Sequence, residues 1–219
     1  MTLSGLDLPR ARVQPSSSAP VPAAQEVPVT ADLSRRRPPF PYDHLPRVTS
    51  FSLASDDLRE GEEMDLRLTA IGDNISPELH WSGAPQGTRS FVVSCFDPDA
   101  PSPAGFWHWT IVDLDASVTC LPQGTGESDL QLDGAAFHVR NDAGTHAWSG
   151  PYPPAGDGSH RYVFAVHALD VDTLGLDDEA SASAVACQVS HHSLARAVLT
   201  ATYTVAGSPQ AATFLEGEL

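Results

Sequence analysis

Ser90-Phe91-Val92-Val93-Ser94-Cys95-Phe96-Asp97-Pro98-Asp99-Ala100-Pro101, running on to Gly105-Phe106-Trp107-His108-Trp109-Thr110-Ile111-Val112, is the stretch that decides how this chain folds. Residues 90–96 are mostly apolar, β-branched or aromatic, and too few for a buried helix. They predict a strand covered on both faces. The prolines that follow cannot continue a ladder and mark a loop. Trp109–Val112 and Tyr162–Leu169 read as strands in the same way. Met64-Asp65-Leu66-Arg67-Leu68-Thr69 alternates apolar and polar, which predicts a half-buried strand. Loops rich in Pro and Gly fall at 97–106, 122–134 and 149–159. An Ala/Ser-rich run predicts one late helix over 179–196, with His191, His192 and Arg196 near its C-terminal dipole. A closing strand is expected from Val198 to Val205. The fold class is therefore mainly β: an antiparallel β-sandwich with a few short peripheral helices and one late C-terminal helix.

The chain has 219 residues, enough for one domain with an appendage. Charged residues make 18%, below the usual ~25%, which argues against a helical bundle. The net charge is −16, and all 12 basic residues are arginine. No basic stripe exists in the body of the chain to displace phosphate counterions, so nucleic acid is excluded as a partner, as is an anionic membrane surface. No stretch approaches the ~18 uninterrupted apolar residues of a spanning helix, so membrane insertion is not expected. The start, MTLSGLDLPRARVQPSSSAP, lacks the cationic and apolar regions of a secretion signal. Cys95, Cys120 and Cys187 are odd in number and lack metal-ligand spacing. They read as reduced residues of a cytoplasmic protein, with Cys95 and Cys187 buried and inert. Residues 1–40 form a Pro/Arg-rich leader, read as extended or disordered, with Arg35-Arg36-Arg37 solvated; 41–206 form the domain and 207–219 a tail.

Chemistry concentrates at two loop–strand junctions. Asp97-Pro98-Asp99-Ala100-Pro101 sets two carboxylates at the end of an apolar strand, with His108 following in the next one. Gly158-Ser159-His160-Arg161-Tyr162 opens another strand, so that His160 and Tyr162 point to one face and Arg161 to the other. Polar side chains held at strand ends around a loop surface suit a small-ligand site. Asp97, Asp99, His108 and His160 are also conceivable metal ligands, but an Asp-x-Asp pair with separated histidines is a weak signal, and no metal and no cofactor is expected. There is no Gly-x-Ser-x-Gly elbow for a serine hydrolase. His138, His146 and His167 read as structural histidines without a functional role.

Taken together, Asp97–Pro101 with His108, and Gly158-x-His160-Arg161-Tyr162, resemble the paired signatures of the phosphatidylethanolamine-binding protein family. Asn74-Ile75-Ser76-Pro77-Glu78-Leu79-His80-Trp81 resembles a motif of its bacterial, Raf-kinase-inhibitor-like branch, and Leu194-Ala195-Arg196-Ala197 with Thr202-Tyr203 its closing helix and strand. The resemblance spans about residues 41–206. It implies two antiparallel sheets packed face to face and a pocket for a small anionic or phosphorylated ligand such as a phosphoethanolamine head group. Asp97, His108, His160 and Tyr162 would line it, with Pro101, Trp107, Gly150 and Pro151 shaping its wall. Asp99 and Arg161 would tie the two loops together. A regulatory role could follow from binding, and members of this branch often form homodimers, which makes a second copy a candidate partner. Two other readings stay open: a small-molecule hydrolase, isomerase or cyclase using Asp97, His108 and His160 for acid–base catalysis, and a kinase-inhibitor-like interaction module.

Overall fold

A computed structural model describes residues 36–206. The readings of residues 1–35 and of the 207–219 tail lie outside the described residues. The strands are β1 (Ser52–Ala54), β2 (Leu79–Ser82), β3 (Ser90–Asp97), β4 (Phe106–Asp115), β5 (Cys120–Leu121), β6 (Phe137–His138), β7 (His160–Leu169) and β8 (Ser193–Tyr203). One helix, α1 (Ala182–His192), stands before β8. The strands form two antiparallel sheets, β1-β2-β5 and β6-β4-β3-β7-β8.

The larger sheet is buried on both faces, which explains the near-continuous apolar sequences of β3 and β7. Phe91, Val93, Cys95, Phe164 and Val166 pack toward Leu79, Trp81 and Leu121 of the smaller sheet. Val92, Val112 and Leu169 face the opposite way, against Ala182, Val185 and Val189 of α1. Alternate residues of one strand thus fill two different cores. Ser181 caps α1 by accepting the Ala184 N–H.

Three local expectations are corrected. Residues 66–68 form a 3-10 turn rather than a strand. The Asp65 carboxylate accepts the Arg67 N–H at 3.0 Å, and this local bond competes with sheet pairing; Met64 and Leu68 are still buried. Helix α1 is shorter than 179–196 at both ends, and β8 begins directly at Ser193. Leu194, Ala195 and Arg196 therefore belong to the strand, where Arg196 pairs with His167 of β7. Cys187 is exposed, on the outer side of α1, as is Cys120; only Cys95 is buried. All three are free thiols. Among the described residues no helix is long and apolar enough to cross a membrane.

Candidate functional site

At one end of the large sheet lies a cavity of about 370 Å³, lined by Asp97, Pro101, Phe106, His108, Gly150, His160 and Tyr162, with Ala70, Ala100, Ser149, Tyr152, Pro153 and Pro154. A bulge in β4 brings these groups to one face. Cys95 pairs with Trp109 and Phe96 with Trp107, so His108 is the extra residue. Bulges re-aim side chains in this way. Phe106 and His108 can thereby face the cavity while Trp109 and Ile111, across the bulge, remain in the inter-sheet core. Trp107 points to the other face, packs on Phe96 with ring centroids 4.5 Å apart, and does not line this cavity. Pro151 is buried behind the wall, where its carbonyl accepts the Ala70 N–H.

Two buried histidines carry opposite electrostatic bias. His160 Nδ1 lies 2.7 Å from Asp97 Oδ2, and its Nε2 lies 3.0 Å from Asp157 Oδ2. Burial draws the imidazole pKa down, but the two carboxylates outweigh it and hold the ring above its ordinary value. Both of its nitrogens are engaged with carboxylates, so neither is free to donate to a ligand. His108 Nδ1–H donates to the Ser149 carbonyl at 2.5 Å. Here burial wins, and the pKa stays below the ordinary value despite the carbonyl and Asp97. His108 is thus neutral near pH 7, with Nε2 a bare acceptor. Burial, then the charge of Asp97, pushes Tyr162 far above its ordinary value and keeps the phenol protonated.

Around this centre the loops are tied down. Arg161 grips Asp99 with Nε and Nη2, each at 2.7 Å, and its backbone N–H donates to the same carboxylate at 2.9 Å. Arg161 Nη2 also donates to the Pro38 carbonyl, and Arg37 lies 3.6 Å from Asp99. The Asp97 carboxylate accepts the Asp99 N–H at 2.7 Å, tightening the turn. On the facing wall, Gly150 donates its N–H to Asn74 Oδ1 at 2.7 Å. A Cβ at Gly150 would sit 2.5 Å from the Leu68 carbonyl oxygen and 2.7 Å from the Ala70 nitrogen. Gly150→Ala is therefore expected to lower unfolding stability by about 1–3 kcal/mol, measured by urea denaturation, because backbone must move to admit the methyl.

Asp157 is the participant that residue-level reading missed. The visible signal was its placement between Gly156 and Gly158, both at φ 84°, a backbone that turns back on itself and returns a side chain to the strand three residues on. Ser149 acts through its carbonyl, which no residue type announces. Among the described residues, no three His, Cys, Asp or Glu side chains are placed to hold a metal ion.

Comparisons with known proteins agree with this fold. The chain is 43% identical to the UPF0098 protein YbhB of Escherichia coli K12 over 157 residues, covering 69% of this chain and 99% of that protein. It is 36% identical to the UPF0098 protein YbcL of the same organism over 165 residues, covering 73% and 90%. The crystal structure of E. coli YbcL, described as a new member of the mammalian PEBP family, superposes with a TM-score of 0.70 at 37% identity, covering 72% of this chain and 99% of that one. The model of the phosphatidylethanolamine-binding protein family matches residues 54–204. With both sheets, the bulged strand and the signature residues in that span, the chain belongs to the phosphatidylethanolamine-binding protein family.

Proposed function

We propose that this is a binding protein whose pocket holds a small phosphorylated, amine-bearing ligand of the phosphoethanolamine type. The observation that carries the reading is the Asp97–His160–Asp157 array beside a neutral His108 and a protonated Tyr162. The Asp97 carboxylate in the cavity wall, positioned by His160, attracts an ammonium and opposes a bare phosphate. Tyr162 offers a neutral O–H to a phosphate oxygen. His108 Nε2 can donate only after taking up a proton, and an adjacent phosphate dianion raises its pKa toward that state. Binding is then linked to proton uptake, and affinity rises as the pH falls through the pKa of His108 in the complex. The three free thiols accord with a reducing, cytoplasmic setting.

Calorimetric titration of phosphoethanolamine, phosphocholine and inorganic phosphate tests the reading. Saturable binding of phosphoethanolamine is expected, with proton uptake seen as a dependence of the heat on buffer ionisation enthalpy. His108→Ala and Tyr162→Phe should each weaken it about tenfold or more, the loss of one hydrogen bond to a charged group. Unchanged affinity in both variants would refute it. A second reading has its own observation: the unprotonated His108 Nε2, in a cavity flanked by carboxylates, is equipped as a general base. Failure of the wild type to bind any of the three ligands would turn the search to small-molecule turnover.

A further inference from the structure

On the other face of the large sheet, beneath α1, a second and smaller cavity of about 40 Å³ opens where β7 and β8 meet the segment around Tyr42. Its charge balance is the reverse of the first. In a chain with 28 acidic residues, not one of the residues lining this cavity is acidic. It does contain a cation, Arg196, half-buried on β8. Arg37, Arg67, Arg89, Arg140 and Arg161 each pair with a carboxylate. Arg196 has no carboxylate partner among the described residues. Its guanidinium carbon lies 4.1 Å over the Tyr42 ring, and its Nε donates to His167 Nδ1 at 3.4 Å.

That last contact fixes the surrounding protons. Burial, then the charge of Arg196, pushes His167 down to about 3, so the ring is neutral. With Nδ1 accepting, Nε2 carries the proton and faces the Tyr42 hydroxyl oxygen at 3.4 Å. The Tyr42 pKa is pushed up to about 12, chiefly by burial, so its hydroxyl stays protonated. The two terminal nitrogens of Arg196 have no hydrogen-bond partner among the described residues. The rest of the wall is largely apolar, including Val92, Val185 and Val189. By size the cavity admits about three water-sized groups.

We propose that this cavity is an anion site, separate from the pocket at the sheet end, and that it takes a small monocarboxylate of acetate size. Arg196 and the Tyr42 hydroxyl hold the carboxylate, and the valines of β3 and α1 receive the alkyl end. An unpaired, partly desolvated guanidinium gains most from a compact counter-anion, and the apolar wall prefers one carrying a methyl over chloride or a bare inorganic anion.

The test uses the full chain, ¹⁵N-labelled, titrated with sodium acetate at constant ionic strength against sodium chloride as the blank. Saturable shifts are expected at the amides of Val92, Val185 and Val189, in the wild type and equally in His108→Ala. Arg196→Gln should weaken them about tenfold or more. Should Arg196→Gln lose its dispersed spectrum, Tyr42→Phe decides, because it removes only the hydroxyl and is expected to weaken acetate severalfold. Absence of saturable shifts with both acetate and propionate overturns the proposal. So does equal affinity in whichever of the two variants is read. Loss of the shifts in His108→Ala would place the acetate in the first pocket and overturn it equally.

Discussion

Acidification from pH 6.5 to pH 3 is expected to strip several kcal/mol from the unfolding free energy, and His167 is the largest single cause. In the folded chain its pKa is pushed down to about 3 by burial, then by Arg196, from the ordinary histidine value of about 6.5. A histidine depressed in the folded state contributes fully above its unfolded pKa. That contribution is lost as the pH falls from about 6.5 toward the folded value, where the unfolded chain binds a proton that the native chain refuses. For His167 alone the loss across this window is roughly 4 kcal/mol. His108 and His138 are depressed as well, each chiefly by burial, and act with the same sign. His160 acts oppositely: its folded pKa is raised, so its stabilisation is complete below about 6.5 and fades as the pH climbs through that raised value. Urea denaturation at a series of pH values measures the slope. His167→Gln, which cannot titrate, should be markedly flatter between pH 6.5 and 3, and an equal slope would remove His167 as the cause.

Asp97→Ala is the second large effect, because it strikes fold and site together. The Asp97 side chain is 4% exposed and accepts from both His160 Nδ1 and the Asp99 N–H. Truncation strands two buried donors, the His160 ring and the Asp99 N–H, and should cost about 2–5 kcal/mol. With one of its two carboxylates gone, His160 should titrate at lower pH, visible in its ring proton resonances. Phosphoethanolamine binding should fall with it. Asp97→Asn keeps the shape and an oxygen that can still accept, so it should recover much of the stability while leaving the His160 pKa lowered. Recovery of both together would mean that charge is not what Asp97 supplies.

How much of this was legible beforehand differs from residue to residue. The apolar runs of β3, β4 and β7 announced strands because a two-sided core demands apolar residues at both parities, and both parities are visible in one dimension. Asp97, Pro101, His108, Gly150, His160 and Tyr162 come together around one cavity because β3, β4 and β7 bring Asp97, His108, His160 and Tyr162 to one end of the sheet, where the loops carrying Pro101 and Gly150 close over them. Trp107 and Pro151 were neighbours of lining residues in sequence, but alternation turned the first away and burial placed the second behind the wall. The strand expected at 64–69 failed on a single side-chain bond, Asp65 to Arg67, that hydropathy alternation cannot register. Tyr42 lay in a Pro-rich stretch that looked featureless. Its burial against His167 and Arg196 depends on a cross-strand pair that only the register of β7 with β8 creates.

The extra residue in β4 has a consequence for how such a site persists through mutation. His108 interrupts the ladder where it enters the site, since Phe96–Trp107 and Cys95–Trp109 are the pairs on either side. Deleting that one residue would close this break and restore alternation from Phe106 to Ile111, while the second irregularity, between the Val93–Ile111 and Phe91–Leu114 pairs, would stay. The imidazole exists at the expense of sheet continuity, so selection for stability alone would erase it. Under the proposed function, it is the ligand and not the fold that maintains the irregularity.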